Sequence, residues 1–141
     1  MNDAKKYLLR IAEYEEALDR MNCELRVLED AATSITVTPK QDVVTCTGRK
    51  DKLGDLAAEI ADKRQKRDDV WDRLIDLKRE AAATLVRVDK KKYRDILEMR
   101  YFQNKNLRTI ARELPMDYRE VRRNHGRALN AYARVLPESV K

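Results

Sequence analysis

A chain of 141 residues with 40% charged side chains, 6% aromatics, three Gly and three Pro suits long, solvated helices and argues against a sheet architecture. Its net charge of +6 is uneven: residues 90–141 hold 14 Lys and Arg against 6 Asp and Glu, a net of +8, which leaves −2 for residues 1–89. No apolar run reaches the roughly eighteen residues a membrane span needs, and the N-terminus lacks the apolar core of a signal peptide.

Cys23 and Cys46 have no ligand-like spacing and no His neighbour, which suits reduced thiols in a cytoplasmic protein rather than a disulfide or a metal site.

The first helix is expected from about Asn2 to Ala31. Ala4, Tyr7, Ile11, Tyr14, Leu18, Met21, Leu25 and Leu28 follow one another at alternating spacings of three and four, a heptad seam. The other face is charged, with Glu13, Glu15, Glu16, Asp19, Arg20, Glu24 and Arg26, so the helix needs one partner along its seam rather than burial all round. Residues 32–50 read as a loop. Thr, Ser, Pro39 and Gly48 break the helical period, and Ile35-Thr36-Val37-Thr38 alternates as a strand does. Ile35, Val37, Val43 and Val44 are too apolar for a plain linker, so the loop is expected to lie along the helices.

A second long helix is expected from about Asp51 to Val88. Leu53, Leu56, Ile60, Val70, Leu74, Leu77, Ala81 and Val88 keep the same register, but Lys63 and Arg67 interrupt it. At that point the partner must be polar, absent or offset. Trp71, Ile75 and Leu85 widen the stripe beyond the interruption, which predicts packing against more than one neighbour there. The expected architecture is all-α: a long coiled-coil helical hairpin over 1–89, with the loop at 32–50, followed by a smaller module over 90–141. Heptads identify a seam and not its partner, so pairing within one chain and pairing with a second copy both stand.

Lys90-Lys91-Lys92 closes the long helix, and Tyr93, Ile96 and Leu97 open the module. Leu97 to Leu129 parses as three short helices. Leu97, Tyr101 and Phe102 mark the first, which Asn104-Lys105-Asn106 breaks. Asn106 is placed to cap the second, whose buried side would be Leu107, Ile110, Ala111 and Leu114. Pro115 stops it, having no N–H and restricting Leu114. Asp117 with Glu120 forms a capping box for the third helix, 117–136, where Val121, Ala128, Leu129 and Tyr132 make one apolar stripe. Two helices joined by a short turn, the second basic and exposed, read as a helix-turn-helix.

Leu97, Arg100 and Tyr101, then Ile110, Ala111 and Leu114, then Val121, Ala128 and Leu129 resemble region four of bacterial sigma factors, which reads promoter DNA in its major groove. The whole layout resembles small phage-encoded regulators of the RinA and ArpU type. The resemblance implies a sequence-specific regulator of phage or prophage genes in a bacterial host's cytoplasm, touching double-stranded DNA and, if it acts like a sigma factor, host RNA polymerase. Operator symmetry implies a homodimer. The family's inter-helix turn usually offers a glycine; Pro115 and Met116 stand there, which implies a turn without positive φ. Thr109 stands where the family commonly has an acid, and Gly126 weakens the last helix.

The residues themselves suggest no catalysis, no metal and no cofactor. The single histidine, His125, has no nucleophile or ligand set around it in sequence, and there is no Gly-rich phosphate loop. His125 is read as packing at the module's edge or meeting a phosphate. The acids sit on charged helix faces where pairs with Lys or Arg explain them. DNA contact does have a mechanism. Tyr118, Arg119, Arg122 and Arg123, in the first turns of the last helix, would enter the major groove, where an arginine can fork onto guanine. Lys105, Arg108, Arg112 and Arg127 would hold phosphates. The bland reading is a set of solvated cations serving solubility. Two other classes compete: the small terminase subunit of phage DNA packaging, whose DNA-binding module usually comes first rather than last, and a protein-interaction adaptor that never meets DNA.

Overall fold

The computed structural model describes residues 2–37 and 46–140, with side chains described throughout except at 35–37 and 46–50. All regular structure among them is helical: α1 (Asp3–Val37), α2 (Cys46–Leu85), α3 (Lys91–Leu97), a π-helical turn continuing it (Glu98–Phe102), α4 (Leu107–Glu113), α5 (Tyr118–Val135) and a 3-10 turn (Glu138–Val140). The chain forms two compact units, Met1–Tyr14 with Leu74–Lys141, and Glu15–Arg73. Compactness thus groups the chain differently from the division read at 89/90, because an end of each long helix belongs with the basic C-terminal residues.

In the first of these units the core draws on every helix. Ala4, Tyr7, Leu8 and Ile11 of α1 are buried together with Leu74, Leu77, Ala81 and Leu85 of α2. Asn2 starts α1, its Oδ1 accepting the Ala4 N–H at 2.8 Å, which satisfies one of the helix's free donors. Tyr132 of α5 reaches both long helices. Its ring stacks on Tyr7 with centroids 6.4 Å apart, and its hydroxyl donates to the Ala81 carbonyl at 3.0 Å. Tyr7 differs: its hydroxyl is buried beside the Glu80 carboxylate but makes no hydrogen bond of ordinary geometry, and burial, then that carboxylate, push its pKa up to about 12.

The expected end of α2 at Val88 is corrected to Leu85. The next residues wind more tightly, with Arg87 and Val88 bonding back three residues to Thr84 and Leu85. This tightening turns Val88 into the core, where it is 2% exposed. The Arg94 guanidinium then holds the carbonyls of Val88 and Asp89. Lys90 consequently caps α3 from an extended conformation, and Lys91 and Lys92 begin a new helix rather than closing the old one.

A tight apolar cluster of Ile96, Ile110, Ala111 and Val121 joins α3, α4 and α5, flanked by Met99, Leu107, Leu114 and Met116. Asn106 caps α4 as its position implies, accepting the Thr109 N–H at 2.8 Å. The π turn closes through Gln103 N–H on the Glu98 carbonyl at 3.1 Å; Asn104 then takes a positive φ of 56°, which Asn tolerates better than most residues, and Lys105 N–H reaches the Met99 carbonyl at 2.9 Å. Asp117 occupies the N-cap of α5, but its carboxylate makes no cap bond, so the capping box is not formed on that side.

The turn between α4 and α5 also departs from expectation. Met116 N–H bonds the Ala111 carbonyl at 3.0 Å, the six-to-one closure of a Schellman end. That closure favours glycine at position 115, and Pro115 stands there with a positive φ of 21°, far from the −65° its ring prefers. The second bond of the motif is lost, since proline has no N–H. A glycine-type turn is therefore present with proline in it.

In the unit Glu15–Arg73, Leu18, Leu25 and Ile60 are buried. Leu18 and Asn22 share a groove with Arg67, Asp68 and Trp71, and Glu24 pairs with Lys63 at 3.1 Å, so α1 and α2 run antiparallel there. The interrupted seam is thus met by a polar partner. Arg64 adds a 2.7 Å bond to Glu29. These pairs are exposed, and solvent and side-chain entropy leave them little weight in stability. Trp71, read as widening the apolar stripe, is 53% exposed. The strand-like alternation from Ile35 is also corrected, because α1 continues through Val37. Just before it, the Thr33 hydroxyl bonds back to the Glu29 carbonyl at 2.9 Å. At the far end of the expected loop, α2 already begins at Cys46. Residues 38–45, and with them the expected packing of the loop, lie outside the described residues.

Two stability measurements follow from this packing. By urea unfolding, Tyr132→Phe should lose about 1 kcal/mol, while Tyr7→Phe, which removes only a buried hydroxyl without an ordinary hydrogen bond, should be neutral or slightly stabilising.

Candidate functional site

The face α5 leaves open is set by the face it buries. Val121, Asn124, Ala128, Leu129 and Tyr132 are buried. At 3.6 residues per turn their positions leave Arg119, Arg122, Arg123 and Arg127 on the remaining surface, and all four are exposed. None of the four forms an ion pair among the described residues. Asn124 was not read as buried, yet it is 2% exposed, and its Nδ2 has no hydrogen-bond partner.

Tyr118 is the meeting point of two helices. Its ring lies under the Arg108 guanidinium of α4 at 5.4 Å and the Arg122 guanidinium of α5 at 5.9 Å. An aromatic face attracts both cations and holds them near one another despite their like charge. The remaining sequence-derived residues are less free. Lys105 is paired with Glu113 at 2.6 Å, and Arg112 reaches the Thr109 hydroxyl at 3.4 Å. Lys105 thus spends part of its charge inside the protein.

Two cations that sequence reasoning did not assign to DNA contact, Lys5 and Arg100, come to the same region. Arg100 lies over the Tyr101 ring at 5.6 Å. Tyr101 in turn stacks on His125, centroids 5.8 Å apart, and its hydroxyl shares a 2.9 Å hydrogen bond with His125 Nε2. His125 therefore packs at the module's edge, one of the two roles read for it. Burial, then Arg100 and Lys5, lower its pKa below the usual 6.5, while burial raises that of Tyr101. Lys5 lies about a hundred residues from the basic helix in sequence, and no local pattern could have signalled it.

Among the described residues there is no group of His, Cys, Asp or Glu able to hold a metal ion, and no helix is long and apolar enough to cross a membrane. The arrangement offers guanidinium groups, a tyrosine ring and a neutral imidazole on one convex helix and its borders. Such groups donate hydrogen bonds to anions and base edges.

The lowered His125 pKa has a definite sign in stability. As pH falls through 6.5 the unfolded chain takes up a proton before the folded one does, so folding weakens until pH passes below the folded-state pKa. Unfolding midpoints of the wild type should therefore fall more between pH 7 and pH 5 than those of His125→Gln; parallel curves would contradict it. Comparison of the chain with family models, curated proteins and solved structures finds no significant match.

Proposed function

We propose that this chain is a sequence-specific, double-stranded DNA-binding transcriptional regulator of phage or prophage genes. In this reading α4, the turn and α5 act as a sigma region-four-like helix-turn-helix, and α5 enters the major groove. The observation that carries it is the set of exposed guanidinium groups on α5, none in an ion pair among the described residues, on the surface that its buried stripe leaves open. A helix with side chains is about 10–12 Å across, matching a major groove of about 12 Å. The net of +8 over residues 90–141 supplies the long-range attraction. A homodimer on a two-fold operator and a contact with RNA polymerase belong to the same proposal.

Arg122, Arg119, Arg123 and Tyr118 are assigned to base edges, and Arg108, Arg112, Arg127 and Lys105 to phosphates, Lys105 more weakly because Glu113 holds it. Selection of bound sequences from a random duplex pool yields the matched site. On it, Arg122→Ala should lose about 1–3 kcal/mol of binding relative to a scrambled duplex. Arg108→Ala should weaken both duplexes alike and reduce the slope of log affinity against log salt by about 0.9. Equal losses in both variants would refute the division of roles. Absence of any salt-sensitive DNA binding would refute the function, and a large ring of subunits in solution would favour the packaging subunit instead.

A further inference from the structure

Helix α5 is bordered by a cationic pocket on each side. Around the helix, the buried positions Val121 and Ala128 and the exposed positions Arg119 and Arg123 define a dividing line. Tyr118, Arg122 and His125 fall to one side of it, and Arg127, Ala131 and Arg134 to the other. On the first side lies a pocket of about 460 Å³ in which Lys5 of α1, Arg100 of the π turn and Arg108 of α4 converge with Tyr118 and His125, and no carboxylate lines it. On the second side a pocket of about 400 Å³ gathers Arg87, Lys90, Arg127 and Arg134, with Asp89 its single acid. Tyr93 and Val135 also line it, and the Arg87 guanidinium donates to the Val135 carbonyl at 3.4 Å.

We propose that these two pockets are phosphate seats, one for each backbone strand bordering the groove that α5 occupies. The inference rests on the DNA-binding reading and extends it to Lys5, Arg100, Arg87, Lys90 and Arg134, residues outside the helix-turn-helix face. Concave clusters of like charge disfavour the folded chain unless an anion arrives to neutralise them, and a phosphodiester offers acceptor oxygens to several guanidinium groups at once. A helix seated in a major groove has one sugar-phosphate backbone along each flank, so two seats on opposite flanks match the geometry of a duplex. A single compact anion would need only one.

The test uses the full chain and the selected duplex, with scrambled duplex alongside. The paired variants are K5Q with R100Q, and R87Q with R134Q. Each pair should reduce the slope of log affinity against log salt by about 1–2 on both duplexes and leave base preference unchanged. In phosphate-ethylation interference, within each half-site the first pair should erase the interference on one strand and the second pair that on the other. Far-UV circular dichroism and melting temperature report whether each pair still folds. If either pair destabilises the chain, the single variants K5Q and R134Q take its place with an expected slope change of about 0.9. Wild-type protein that binds no duplex overturns the DNA reading itself. Wild-type binding with unchanged slopes, with interference lost on the same strand of a half-site for both pairs, or with loss confined to the matched duplex overturns the two seats and leaves that reading standing.

Discussion

The open surface of α5 depends on what anchors its other side, and the anchor is Tyr132. A helix of 18 residues carrying five arginines has little reason to hold together alone in water. Tyr132 is fully buried, stacks on Tyr7 of α1 and donates to a backbone carbonyl of α2. One side chain therefore fixes the rotation of α5 about its axis relative to two other helices. Rotation by even one position would carry arginines inward and expose Val121 and Ala128. The cost of burying an unpaired guanidinium keeps that alternative closed.

The short α4 has a different support. Seven residues form too few internal bonds to be stable in isolation, and its definition comes from its ends. Asn106 closes the start by a side-chain cap, the Ala111 carbonyl closes the finish through Met116, and Ile110 and Ala111 fill the space against α3 and α5. The π turn before it sets Tyr101 against His125, so the edge of the module is knit by an aromatic pair rather than by aliphatic packing. Arg108 then projects from α4 onto Tyr118, which makes the two helices share one cationic surface.

Much of this was legible in the residues. The three-four register marks Ala4, Tyr7, Ile11, Leu18 and Leu25 of α1 and Ile60, Leu74, Leu77 and Ala81 of α2 as buried, because burial in a helix repeats with the helix. Leu8 is buried off that register, while Tyr14, Met21, Leu28, Leu53, Leu56 and Val70 on it are only half-buried. Ile110, Val121 and Tyr132 are readable in the same way. Asn106 was readable because a cap is a local device. The exposed arginines followed by subtraction from the buried stripe. What escaped is what local pattern cannot encode. The end of α2 depends on Val88 being drawn into the core, and Trp71 is exposed although its spacing suits the stripe. Thr-rich sequence near Ile35 looked like a strand, but a threonine that bonds back to its own helix persists in one. Lys5 and Arg100 join the candidate surface only through tertiary approach, and Glu113 diminishes Lys105 for the same reason.

The exposure of Trp71 has an optical consequence. The chain has one indole and six phenols. The indole lies in the unit Glu15–Arg73, while Tyr7, Tyr14, Tyr93, Tyr101, Tyr118 and Tyr132 all lie in the other. Light absorbed at the red edge of the spectrum thus excites a solvent-facing chromophore on the long-helix unit alone, whereas phenol absorbance follows the unit that carries α5. The two halves of the molecule come with separate natural dyes, and their melting can be watched independently in one unlabelled sample.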